Sequence, residues 1–117
     1  MLTKQNRLKK KKDFEKVLKR GKGFKENFLV LKMTKNDLPQ NRFGFIVGTK
    51  VSKKATLRNK LKRRLRGLAK AKIEKIKKGY DIILIAQPGL ENRDFWELEE
   101  IVNKIFNQAK IIEKVRK

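Results

Sequence analysis

The feature that most restricts this chain is the stretch Lys50–Lys72, KVSKKATLRNKLKRRLRGLAKAK, with eleven Lys or Arg and no acid. The acid-free span is longer still, from Leu38 to Ile73. Inside it Leu57, Leu61, Leu65 and Leu68 recur at i, i+4, i+8 and i+11. On an α-helix these fall on one narrow face, with Arg58, Lys62 and Arg66 in the next row and Asn59 and Arg63 after them. The spacing predicts a helix that buries leucine on one side and shows cations almost everywhere else, with Thr56 as its N-cap. Cations four residues apart repel one another, so the helix is favoured when a polyanion lies against it. A nucleic-acid backbone supplies that anion and releases counterions on binding. A merely solvated basic face is one alternative. An amphipathic helix on anionic lipid or in a calmodulin-like partner is another, but four leucines with no Trp or Phe make a weak anchor.

The rest of the composition agrees. The chain has 34 basic and 12 acidic residues, a net charge of +22, which exceeds what solubility needs and points to a polyanionic partner. It has no cysteine and no histidine, so disulfide frameworks, thiolate metal sites and the commonest general base are all missing. At 117 residues it has the length of a single domain with a modest core. No apolar run reaches the length of a membrane span, and MLTKQNRLKKKK has no apolar segment behind its charge, so the chain reads as cytoplasmic, without membrane or small-molecule substrate.

Taken in order, residues 1–12 read as a basic, flexible arm. Phe14, Val17 and Leu18 mark a short first helix, begun by Asp13 or by the lysines before it and stopped by Gly21. Asn27–Thr34 and Arg42–Thr49 read as strands whose spacing suits an antiparallel pair, with a weaker strand near Lys22–Lys25. The basic helix follows, with Gly67 weakening it and a pattern that continues through Ile73 and Ile76 to Gly79. Tyr80–Ala86 is the most apolar strand and is expected at the sheet centre. Asp94 and Glu97 form a capping box for a last helix with a stripe of Leu98, Ile101, Val102, Ile105, Phe106, Ala109 and Ile112. Five of the twelve acids lie in Glu91–Glu100, so this end should face away from the polyanion. The order implies an α+β fold, one small sheet with helices packed on it.

No paired carboxylates, phosphate-binding loop or nucleophile context stands out. Gly21-Lys22-Gly23 reads as a turn, and Asp13 and Asp81 as a capping and a strand-edge residue rather than cation ligands. Phe14, Phe28, Phe43 and Phe45 fill the core or stack single-stranded bases. Phe14, just after four lysines, is the best candidate for stacking.

Arg58-Asn59-Lys60-Leu61-Lys62-Arg63 resembles the Arg-Asn-Arg-like signature of the bacterial ribonuclease P protein subunit. The run Arg42–Val47 to Val51–Ala55, Asp13-Phe14 with Gly21, and Gly79–Ala86 resemble that family in the same order along nearly the whole chain. The resemblance implies a two-layer α/β sandwich in αβββαβα order, ribosomal-protein-S5-domain-2-like, with a small mixed sheet and a left-handed βαβ crossover. It also implies the protein component of a ribonucleoprotein whose RNA, with Mg²⁺, removes the 5′ leader of precursor tRNA. Carried over by position, Arg58, Asn59, Lys60, Lys62, Arg63 and Arg66 would contact the catalytic RNA. Phe14, Leu18, Phe28, Leu31, Thr49, Lys50 and Lys53 would line a leader cleft between the first helix and the sheet. Lys60 departs from the usual second Arg, and Leu18 and Leu31 from frequent aromatics. Gly48, Thr49, Ser52, Gln87 and Gly67 also depart from the pattern. A ribosomal or general RNA-binding structural protein is the alternative, and a membrane-surface or DNA-binding basic protein a more distant one.

Overall fold

Tyr80–Ala86, YDIILIA, is apolar on both faces, which suits a strand covered on both sides. In the computed structural model, which describes residues 3–111, it is the strand the others gather on. The elements are α1 (Lys11–Arg20), β1 (Lys22–Glu26), β2 (Leu29–Lys35), β3 (Arg42–Ile46), α2 (Ala55–Lys72), β4 (Tyr80–Ala86) and α3 (Phe95–Gln108), the expected αβββαβα order. The sheet order is β1-β2-β4-β3. β4 pairs antiparallel with β2 and parallel with β3. β2 and β3 are therefore not the antiparallel pair that their spacing suggested. The seven-residue β4 inserts between them, and the α2 crossover makes β3 parallel to it.

Strand alternation sorts the core. Leu29, Leu31, Phe43, Ile82, Leu84 and Ala86 turn to one face, where Leu61, Leu65 and Leu68 of α2 and Leu98, Ile101, Val102, Ile105 and Phe106 of α3 bury them. Ile83 turns to the other face, against Val17 of α1 and Leu8, with Phe14, Leu18, Ile46 and Ile85 half-buried around it. Each fully buried aliphatic side chain contributes roughly 1.5–3 kcal/mol, so α2 and α3 are held firmly while α1 rests on a thinner layer.

Several local expectations change. The arm is not wholly loose: Lys4–Asn6 form a 3-10 turn, Arg7 bridges Phe43, and the Leu8 N–H donates to the Phe43 carbonyl at 2.8 Å. Leu8 is buried, which gives this segment an apolar reason to stay. α1 begins at the lysines, with Lys10 at the N-cap, and Asp13 is free to pair with Arg42. Gly21 ends α1, its N–H donating to the Val17 carbonyl at 2.7 Å. The weak strand near Lys22–Lys25 is real and pairs with β2. β3 stops at Ile46 rather than Thr49, because the chain turns at Gly48, whose carbonyl accepts from the Val51 N–H at 3.1 Å.

α2 starts one residue before Thr56, with Lys54 at the N-cap. It ends at Lys72, and Ile73–Lys75 continue as a 3-10 turn that still buries Ile76. α3 carries the expected box: the Glu97 N–H donates to Asp94 Oδ1 at 2.8 Å, and the Asp94 N–H to Glu97 Oε1 at 3.2 Å. Its stripe is buried through Ala109, and Ile112 lies outside the described residues.

An ion network fastens α1 to the sheet. Arg42 donates to Asp81 through Nε at 2.8 Å and Nη2 at 2.7 Å, and Nη1 reaches Asp13 at 3.3 Å. Asn36 Nδ2 adds a bond to Asp81 at 2.9 Å. Asp81 is thus a buried structural anion rather than an edge residue. The hydrogen bonds from Arg42 to Asp81, and its charge with that of Asp13, push the guanidinium pKa up against the opposing effect of burial.

Candidate nucleic-acid interface

α2 is displayed as its sequence requires, with one exception. Leu61, Leu65, Leu68 and Ala69 are buried, whereas Leu57, expected in the same row, is 43% exposed. The leucine seam thus begins one turn later than the pattern implied, since Leu57 lies in the first turn, ahead of the sheet contact. Asn59, Lys60 and Arg63 are exposed, and Arg58, Lys62 and Arg66 are partly so.

The helix start is built without an acid. Ser52 Oγ accepts the Lys54 N–H at 3.2 Å, and Arg58 Nη1 donates to the Ser52 and Lys53 carbonyls, each at 2.9 Å. This bracing turns the chain helical before Thr56 and leaves Thr56 inside the first turn. No side chain caps the helix and no acid lies in its first turn. Its positive dipole end therefore sits among Lys53, Lys54 and Arg58, an arrangement that isolated electrostatics disfavours. Ion pairs join Arg42 to Asp13 and Asp81, Arg93 to Glu97, and Lys104 to Glu100. Among the described residues, no α2 cation has a carboxylate partner.

The second predicted set is divided. Phe14 and Leu18 lie on α1, facing the sheet with Ile46 and Ile85. Thr49, Lys50 and Lys53 are exposed in the loop between β3 and α2, just past Ile46. Leu31 is not with them: it is fully buried on the α2 and α3 face, so nothing can reach it. Phe28 is also elsewhere. It sits in the β1–β2 turn at φ +62°, against Gly89 and with the Arg93 guanidinium 5.0 Å from its ring, on the side of α3.

The residues of β2 that do face α1 are Val30 and Lys32, whose Nζ donates to the Leu18 carbonyl at 2.8 Å. The alternation in LVLKMTK carried that signal: once Leu29 and Leu31 are core, Val30 and Lys32 must point the other way.

Fold and site together define a small, strongly basic α+β protein that presents an acid-free helix on one side of a four-stranded mixed sheet. The family model described as Ribonuclease P matches residues 2–110. Curated relatives named ribonuclease P protein component include one from Clostridium botulinum, 35% identical over 109 residues, covering 92% of this chain and 97% of the relative. Another, from Fusobacterium nucleatum, is 35% identical over 111 residues, covering 92% and 99%. The RNase P protein of Staphylococcus aureus superposes with a TM-score of 0.85 at 28% identity, over 92% of this chain and 98% of that one. That of Thermotoga maritima gives 0.79 at 33%, over 87% and 96%. The chain belongs to the ribonuclease P protein family, the protein components of a tRNA-processing endoribonuclease complex, and its implied partner is ribonuclease P RNA.

Proposed function

We propose that this chain works as the RNA-gripping subunit of its ribonucleoprotein and that the RNA performs the cleavage. Residues 1–117 act as one RNA-binding unit in the cytoplasm. Arg58, Asn59, Lys60, Lys62, Arg63 and Arg66 hold the catalytic RNA: the guanidinium forks and ammonium groups take phosphates, and the Asn59 amide takes a sugar or base edge. The observation that carries this reading is the absence of any carboxylate partner for the α2 cations among the described residues, in a helix whose acid-free sequence leaves it self-repelling until an RNA backbone lies against it.

The 5′ leader of precursor tRNA passes between α1 and the sheet. Phe14 and Leu18 contribute from the helix, Thr49, Lys50 and Lys53 from the loop, and Val30, Lys32, Ile46 and Ile85 from the sheet. These residues bind and orient the leader and lower its repulsion from the RNA subunit. In this reading Mg²⁺ is bound mainly by the RNA; among the described residues no three His, Cys, Asp or Glu side chains gather as ligands.

The test is reconstitution with a bacterial ribonuclease P RNA at low Mg²⁺. Restored cleavage of precursor tRNA is expected, with tighter binding of precursor than of mature tRNA. A general RNA-binding protein would restore nothing beyond what charge alone does. Equal affinity for the two tRNAs would remove the leader assignment.

A further inference from the structure

α3 buries one stripe in the core and opens with a turn whose rings the core leaves outside. Trp96, the one tryptophan of the chain, is 74% exposed, and Phe95 beside it is 41% exposed. The two rings meet edge to face, with centroids 5.7 Å apart and planes at 81°. A lone apolar side chain on a surface is ordinary, but two adjoining aromatics, one of them Trp, mark a contact surface. Neither ring is needed for the helix cap, which Asp94 and Glu97 make.

The charge around the rings decides what fits them. From Glu91 to Lys104 the chain carries five acids and two cations, in a protein with 34 cations and 12 acids. Glu99 and Glu100 follow Trp96 at i+3 and i+4, the spacing of neighbours on a helix surface. Glu100 pairs with Lys104 at 3.1 Å. Among the described residues the Glu99 carboxylate has no hydrogen-bond or ion-pair partner. RNA phosphates are repelled by such a surface, and a cation is drawn to it. The same end of the molecule shows this chemistry already completed. The Arg93 guanidinium lies 5.0 Å from the Phe28 ring centroid, and its Nη1 reaches Glu97 at 3.4 Å. Phe28 and Glu97 therefore share an arginine of the chain. Trp96 and Glu99 offer a ring and a carboxylate but, among the described residues, no cation. We propose that the first turn of α3 docks an arginine-bearing segment of a protein partner, with one guanidinium stacked on Trp96 and paired with Glu99. Arginine suits this site better than lysine, because its planar, weakly hydrated guanidinium can lie on a ring and fork onto a carboxylate. The inference stands independently of the RNA-gripping reading, since no α2 cation takes part.

The experiment titrates the full chain at low salt with two fluorescently labelled peptides of equal charge, octa-arginine and octa-lysine. Trp96 is the only indole, so its emission reports on this turn, and unlabelled octa-arginine should change it saturably. By anisotropy, octa-arginine should bind about two- to fivefold more tightly than octa-lysine, the scale of one exposed cation–π contact. Trp96→Leu, at a position the core does not use, should abolish that preference. Glu99→Gln should weaken octa-arginine by up to about fivefold. Glu15→Gln, which removes an acid from α1 on the other face of the sheet, should leave it unchanged. Trp96→Leu should keep wild-type affinity for a bacterial ribonuclease P RNA.

An unresponsive Trp96 emission, equal affinity for the two peptides, or an arginine preference that survives Trp96→Leu would each overturn the proposal. So would a loss of RNA affinity in Trp96→Leu, for the ring would then read nucleic acid. A concentration-dependent dimer in sedimentation that Trp96→Leu abolishes would also overturn it, by making a second copy of this chain the occupant.

Discussion

Replacing Arg42 by Ala tests the argument that an ion network ties β3 to β4, and through Asp13 ties α1 to both, beyond what the thin apolar layer under α1 supplies. Arg42 makes two short bonds to Asp81, at 2.8 and 2.7 Å, and one longer bond to Asp13 at 3.3 Å. The Asp81 side chain is only 5% exposed, so the substitution leaves a buried carboxylate supported by Asn36 alone. Stranding one partner of a buried pair costs roughly 3–5 kcal/mol, and the low end applies because Arg42 itself reaches solvent. With an unfolding entropy of about 2 cal/mol/K per residue, a loss of about 3 kcal/mol lowers Tm by about 12 °C in a chain of this size.

The double substitution Arg42→Met with Asp81→Leu should cost less than Arg42→Ala, because no charge is left stranded. The pH dependence follows from the raised guanidinium pKa. A group whose folded pKa is raised contributes fully below its unfolded value and is lost only as pH rises through the folded one, here far into alkali. The Tm difference between wild type and Arg42→Ala, followed by circular dichroism, should therefore show no loss of the Arg42 contribution through neutral and mildly alkaline pH. A fall in Tm of under about 3 °C, which is under about 1 kcal/mol, would refute the reasoning.

Leu65→Ala should cost about 2–5 kcal/mol, whereas Leu57→Ala, at a 43% exposed position, should stay within about 0.5 kcal/mol, both read by urea denaturation. Gly67 lies inside α2 with open space where a Cβ would go, so Gly67→Ala should stabilise by about 0.5–1 kcal/mol in the same assay. Asp94→Ala removes the α3 cap and should cost about 1 kcal/mol while leaving RNA affinity untouched, which a filter-binding titration checks. Arg58→Lys keeps the charge but not the fork on the Ser52 and Lys53 carbonyls, so it should recover less RNA affinity, relative to Arg58→Ala, than Arg63→Lys does relative to Arg63→Ala.

What was legible in the chain was whatever periodicity or a local cap encodes. The α3 box, the Gly21 stop, the central β4 and the leucine-backed α2 follow from neighbours within a turn or along one strand. Pairing partners were not legible. β2 and β3 are close in sequence, but β4 separates them, and nothing within residues 29–46 announces a strand that arrives after α2. The same gap explains Leu31. Its place in a leader cleft required knowing which face of β2 meets α1, and that is fixed by where α2 and α3 pack.

Asp13, Arg42 and Asp81 are far apart in sequence, so their network could not be read from any one window. Within its own window, Asp13 reads as a cap and Asp81 as an edge residue. Nothing in the residues next to Gly44 announces that the Phe14 ring rests on its bare backbone. The charged face of α2 was fully legible, because an unbalanced run of cations needs no tertiary contact to be recognised.

The most direct test of α2 as the RNA handle is the salt dependence of affinity for a bacterial ribonuclease P RNA, comparing the wild-type chain with the combined Lys60→Ala, Lys62→Ala and Arg63→Ala variant. Each lost phosphate contact reduces the slope of log K against log salt by about 0.7–0.9, so the variant should bind more weakly with a slope shallower by roughly 2–3 units. A variant that keeps the wild-type slope would contradict the account, for then the RNA would be held somewhere other than on this helix.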